Sequence, residues 1–150
     1  MGHERVRLTY GEARGPALAD RTKQLDSYVD ASKPVVLYFK DLGMQIGWTT
    51  VFLFEYFGPI LMTVLLALFQ GEIYGKQRDF TYNQKLGMAM VLLHYTKREL
   101  ETLFVHRFSS ETMPITNIFK NSFHYWFSFG FCTMYFFLHP DYTPPAWASD

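Results

Sequence analysis

The chain has 150 residues, with 14 Lys and Arg against 14 Asp and Glu, so its formal net charge is zero. A neutral chain excludes a generally basic nucleic-acid binder and an acidic solvating tail. Its single cysteine, Cys132, excludes an intrachain disulfide framework and a multi-cysteine zinc site. The charges are unevenly spread: 13 of the 28 lie in residues 1–41, one (Glu55) lies in 42–71, and none lies in 121–140. The mean hydropathy of -0.05 therefore averages a soluble piece and a membrane piece. The expected fold class is an α-helical membrane protein with three transmembrane helices, preceded by a small β module. The expected boundaries are 1–41 for the module and 42–150 for the membrane region.

Within the module, RVRLTY alternates as a strand does, GEARGPALAD is rich in turn formers, and VVLYFKD is a β-branched and aromatic strand. The order of strand, turn, LDSY loop and final strand resembles the second half of a ubiquitin-like fold, without the hairpin and helix that would precede Arg5. Such a partial module has an open edge and a thin core, and should be marginal alone. A small independent β-meander is the alternative.

The first predicted span is 46–69, IGWTTVFLFEYFGPILMTVLLALF. As a helix its 24 residues reach about 36 Å, enough to cross a hydrocarbon core of about 30 Å with some tilt. Trp48 marks an interface, and Gly58-Pro59 should kink the helix because Pro59 lacks a backbone donor. The second predicted span, 84–105, is apolar at first but carries Lys97, Arg98, Glu99 and Glu101 in its second half. Those charges are tolerable if that half faces a polar cavity or emerges among headgroups. Helical spacing pairs Lys97 with Glu101 and sets His94, Arg98 and Glu101 on one face. The third predicted span, 115–138, begins with polar residues, among them Asn117, Asn121, Ser122, His124 and Tyr125, which at membrane depth face other helices or water. The positive-inside rule puts the N-terminal module and the 107–120 side in the cytoplasm.

No GxGxxG, P-loop, HExxH or GxSxG pattern occurs, and the five histidines lack close metal-ligand spacing, so no metal site is expected. Glu55 is the sharpest feature. A carboxylate in an otherwise uncharged span costs roughly 2.5–3.5 kcal/mol on insertion scales, so it must be paired, protonated or solvated. It reads either as a structural partner of Arg98, Lys97 or Tyr95 or as a ligand- or proton-handling group, and the two roles are compatible. Tyr95, among His94, Lys97 and Arg98, could act as a proton donor near an anionic amphiphile; an ordinary interfacial belt would look similar.

The runs FKDLGMQIGWTTVFLFEYFGP, HYTKRELETLFVHRFSSETMPITNIFKN and HPDYTPP resemble very-long-chain trans-2,3-enoyl-CoA reductases, within the steroid 5-alpha-reductase-like membrane enzymes. The resemblance covers nearly the whole chain and corresponds to the N-terminal portion of such enzymes. It implies a multi-pass enzyme of the endoplasmic reticulum membrane that uses NADPH to saturate the trans-2 double bond of long-chain enoyl-CoA during fatty-acid elongation. The implied partners are that substrate, membrane lipid and other elongation-cycle enzymes, with no nucleic acid. Residue by residue, it implies catalytic roles for Glu55, in the FxxEYxGP motif, and for Tyr95, in the HY motif. It places Arg98, His106, Arg107 and Asn117 on the cofactor side. The family chain is about twice this long, so the 150 residues alone are expected to be inactive. The alternatives are a non-catalytic truncated paralogue that binds elongation partners, and a reductase of steroids or other enones.

Overall fold

A computed structural model describes residues 6–18, 20, 22–30, 34–108 and 112–148. Arg5, which opens the first predicted strand, and residues 109–111 of the long motif lie outside them. The chain divides into two compact units, 1–46 with 112–115, and 47–111 with 116–150.

In the first unit, β1 (Val6–Tyr10) pairs antiparallel with β2 (Leu37–Asp41), and the register sets Val6 opposite Asp41 and Tyr10 opposite Leu37. Between them lie a turn-rich stretch and one 3-10 turn, Leu25–Ser27. Gly11 takes φ +77°, a backbone conformation that glycine adopts without steric penalty, where the chain leaves β1. Every described residue of β2 is exposed, and Thr9 is the one buried position of β1. A second small sheet pairs β3 (Gln45–Gly47) with β4 (Thr112–Pro114), and the Ile115 N–H donates to the Met44 carbonyl at 2.9 Å.

The second unit is helical. α1 (Trp48–Leu68) and α3 (Tyr82–Phe104) occupy the first two predicted intervals, with a short α2 (Gln70–Tyr74) between them. The third interval is helical but not uniform: α4 (Thr116–Ser122) runs into a π-helical stretch, Phe123–Thr133, and then α5 (Met134–Phe137). The wider turn shows in the bonding, since the N–H of Met134 and the Thr133 hydroxyl each reach a carbonyl five residues back, at Phe129 and Ser128. Among the described residues one helix, α1, is long and apolar enough to cross a membrane. α3 is long enough, but its last turns hold Lys97, Arg98, Glu99 and Glu101, and the third interval is not one regular helix. Large apolar side chains nonetheless stand exposed on both, including Met90, Leu93 and Phe104 on α3 and Phe119, Phe123 and Phe127 on the third segment. Apolar exposure on this scale marks a surface that meets lipid or protein.

α1 stays helical through Pro59, and its buried face carries Val51, Glu55, Tyr56, Thr63 and Leu66. Thr63 donates its hydroxyl to the Pro59 carbonyl at 2.7 Å. Gly58 lies against the indole of Trp126, whose Nε1–H donates to the Phe54 carbonyl at 2.8 Å. Further along the bundle, Leu66, Met134 and Leu138 form a small core with Phe129 and Phe137 packed around it.

Gln84 ties down that end. Thr81 N-caps α3 by accepting from the Gln84 N–H, and the Gln84 side-chain oxygen accepts from the Thr81 N–H at 3.0 Å. The Gln84 amide nitrogen donates to the carbonyls of Phe137 at 2.9 Å and His139 at 3.1 Å. One buried side chain thus joins the start of α3 to the end of the third segment. Gln84→Ala should lower stability by about 2 kcal/mol, because it takes these partners from the Thr81 N–H and the Phe137 carbonyl, while the His139 carbonyl keeps the Tyr142 N–H. A thermal melt in detergent tests this, and an unchanged midpoint would remove Gln84 from the set of structural anchors. Beside it, Tyr74 donates to the Tyr135 carbonyl at 2.9 Å, and burial, with Tyr135 next to it, pushes the phenol up to about 12. The Lys76–Asp141 pair at 2.9 Å holds the Asp141 carboxyl below its ordinary range, but both groups are well exposed and contribute little.

Candidate active site

Glu55 lies on the buried face of α1, where helical spacing sets it a turn from Val51 and Pro59. It is 2% exposed, and its Oε1 has no hydrogen-bond partner among the described residues. The Asn121 side chain, at the end of α4, is within hydrogen-bonding reach of the carboxyl. A buried carboxyl with an unused oxygen is costly, and a native fold retains one where a ligand or proton can use it.

Its chain neighbour Tyr56 belongs to a cluster of three tyrosines, one from each long helical segment. Tyr56 of α1 meets Tyr125 edge-on with ring centroids 5.5 Å apart, and their hydroxyls are within hydrogen-bonding reach. Tyr95 of α3 closes the group, 6.3 Å from Tyr56, 6.4 Å from Tyr125 and 5.4 Å from Phe129. Arg98 lies over the Tyr56 ring at 5.1 Å, and its Nη2 donates to the Tyr56 hydroxyl at 3.1 Å. The opposite side of the guanidinium donates to Glu101 at 2.6 Å, and Lys97 also pairs with Glu101. Neither cation pairs with Glu55; both are engaged by Glu101.

The arrangement gathers one carboxyl, three phenols and a guanidinium on the inner face of a helical bundle. Chemically it is a cluster of hydrogen-bond donors, with one open acceptor oxygen, suited to hold a polarised carbonyl oxygen. Of the predicted residues, Tyr95 and Arg98 both meet Tyr56, the chain neighbour of Glu55. The other three stand apart. The His106 ring edges onto Phe52 at 6.2 Å and Phe108 at 5.9 Å, its Nδ1 buried with no partner among the described residues, while Arg107 and Asn117 are exposed. Arg98 bonds the Glu101 carboxylate, whose residue also accepts the His106 N–H at its carbonyl, and no described contact adds Arg107 or Asn117 to them. Sequence reasoning did not single out Tyr56 and did not pair Asn121 or Tyr125 with Glu55. The available signal was the polar first half of the third segment, whose side chains had to face something.

Comparison with known proteins gives the chemistry a context. No family model matches the chain, and no solved structure matches it. Among curated proteins, a very-long-chain enoyl-CoA reductase of Dictyostelium discoideum is 40% identical over 151 aligned positions, covering 95% of this chain and 49% of that protein. A trans-2,3-enoyl-CoA reductase-like protein of Mus musculus is 38% identical over 96% of this chain and 39% of its own length. The corresponding Homo sapiens protein is 39% identical over 92% of this chain and 38% of its own length. The chain therefore spans about half the length, or somewhat less, of the curated relatives it matches. With identity of this order sustained along nearly all of its residues, the chain is similar to part of the very-long-chain enoyl-CoA reductases.

Proposed function

We propose that the chain forms the thioester-binding part of an enzyme that reduces the trans-2 double bond of long-chain enoyl-CoA in fatty-acid elongation. The observation that carries this reading is the buried Glu55 carboxyl, with its unpartnered oxygen, beside the Tyr56, Tyr95 and Tyr125 cluster, in a chain related to proteins named enoyl-CoA reductases. Addition of hydride to C3 of a conjugated thioester builds negative charge on the thioester oxygen. A donor already fixed beside that oxygen lowers the barrier without reorganising at the moment of reaction. Tyr95 is the proposed donor. Glu55, steadied by Asn121, orients the group or donates in its protonated form, and Arg98 fixes Tyr56 in the same cluster. NADPH is the proposed source of the hydride, and the clustered residues are proposed to act at the thioester end.

The proposed setting is the endoplasmic reticulum membrane, with 46–69, 84–105 and 115–138 as spans and the N-terminal module, read as part of a ubiquitin-like fold, on the cytoplasmic side. The apolarity of α1 and the exposed apolar side chains of the other segments support this reading. The test is direct. A protein of the relatives' full length, given NADPH and trans-2-hexadecenoyl-CoA, should form the saturated acyl-CoA with one NADPH consumed per product. The 150-residue chain alone should form none. Absence of saturated product from the full-length protein with either nicotinamide cofactor would overturn the assignment.

A further inference from the structure

The register of the first sheet creates an electrostatic problem that no ion pair among the described residues relieves. Arg7 of β1 lies directly opposite Lys40 of β2, and like charges facing each other across a strand pair are destabilising. Two residues along, on the same face, Thr9 lies opposite Tyr38. The turn after β1 folds back over this face. Gly11 turns the chain, the Gly15 N–H donates to the Glu12 carbonyl at 2.9 Å, and the Thr9 hydroxyl donates to that carbonyl at 3.1 Å. Arg14 is thereby brought to the Arg7–Lys40 pair, and together with Thr9 and Tyr38 these side chains line a cleft of about 560 Å³.

Among the described residues no carboxylate lines the cleft, and none of the three cations has an ion-pair partner. Other cations of the chain do find partners: Lys23 pairs with Asp20, Lys76 with Asp141, and Lys97 and Arg98 with Glu101. The nearest acid in sequence, Asp41, lies on the opposite face of the pleat from Lys40, with its Oδ1 accepting from the Gly43 N–H at 2.8 Å. Three converging, uncompensated cations with a phenol at the rim are the donor set that holds phosphate, arginine by its planar fork and lysine as a point charge. The volume lies within the usual range for a small-molecule site.

We propose that this cleft is an anion site for phosphate esters, separate from the tyrosine cluster and independent of the reductase reading. A bound phosphate would convert the Arg7–Lys40 repulsion into a shared attraction. The ester can come from a nucleotide-type headgroup or from a phospholipid headgroup, which present the same chemistry to the cleft.

The test uses the purified 150-residue chain in non-ionic detergent, titrated calorimetrically with inorganic pyrophosphate, glycerol 3-phosphate and adenosine 3′,5′-bisphosphate. Saturable pyrophosphate binding is expected, weakened about tenfold by each of Arg7→Gln, Arg14→Gln and Lys40→Gln, as for one lost charge-assisted hydrogen bond. Because Arg7 and Lys40 repel, Arg7→Gln should leave the ligand-free melting midpoint unchanged or raised, which separates loss of binding from loss of fold. Lys23→Gln, which removes a cation that does not line the cleft, should bind like the parent chain. Tighter binding of the adenosine bisphosphate names a nucleotide source, and tighter binding of glycerol 3-phosphate a lipid one. Equal binding of all three upholds a bare phosphate site. The proposal is overturned if pyrophosphate does not bind saturably, or if Lys23→Gln weakens binding as much as Arg7→Gln does.

Discussion

In a protein of the relatives' full length, Glu55→Gln should lower kcat for trans-2-enoyl-CoA by about 100-fold or more, the scale of a lost oxyanion-stabilising group. The substitution keeps side-chain volume and can keep the contact with Asn121, so membrane insertion and protein level should change little. What it removes is the carboxyl's capacity to ionise and exchange a proton. Tyr95→Phe keeps the ring contacts with Tyr56, Tyr125 and Phe129 and removes only the hydroxyl, and a loss of the same order is expected. A group that acts in the transition state lowers kcat and kcat/KM together; one that merely shapes the pocket raises KM. Near-parental kcat in both variants would make the pair structural and place the proton donor elsewhere in the whole enzyme.

The second large effect is on stability. Gly58→Ala should destabilise the helical unit by about 1–3 kcal/mol, although helix propensity alone favours Ala over Gly by about 1 kcal/mol. The overriding factor is steric. A Cβ on Gly58 would overlap the indole of Trp126, and that ring is held by its bond to the Phe54 carbonyl and by stacking on Phe54 at 4.9 Å. For about 150 residues the expected fall in melting midpoint is about 2–12 °C. Adding Trp126→Ala should recover part of it, giving the non-additivity of residues in contact. A midpoint unchanged or raised by Gly58→Ala alone would show that Trp126 can yield and that propensity wins.

Local features were legible from sequence and long-range ones were not. Helices occupy the three intervals where apolar residues dominate, because burial and apolarity are written residue by residue. The pairing of Lys97 with Glu101 follows from spacing alone, since side chains four apart in a helix are neighbours. Glu55 stood out because nothing around it in sequence is charged. Its surroundings did not. Arg98 reaches Tyr56 across 42 residues of sequence, and Tyr125 meets Tyr56 from a different helical segment, contacts that exist only once the helices pack. The number of spans was harder for a different reason. Length and apolarity suffice for α1, whereas α3 mixes apolar surface with four clustered charges, and only its neighbours decide what each face meets. The Arg7–Lys40 juxtaposition was hidden too, because strand register is set by pairing and not by either strand alone.

The π-helical stretch has a consequence for angular phase. A regular α-helix advances about 100° per residue, and a π turn takes one more residue than an α turn to come round. The third segment must present Asn121 and Tyr125 toward Glu55 and Tyr56, and also Met134 and Leu138 toward Leu66. Its two ends are thus anchored to different stretches of α1, and the extra residue in each wide turn sets the rotation of one end against the other. Shortened by one residue between 123 and 133, the segment could return toward α geometry with its Leu138 end still seated. Its Tyr125 end would then swing by roughly a quarter turn away from the carboxyl. The wide turns work as a fixed rotational offset, like a keyed coupling on a shaft, so residue number matters here as much as residue identity.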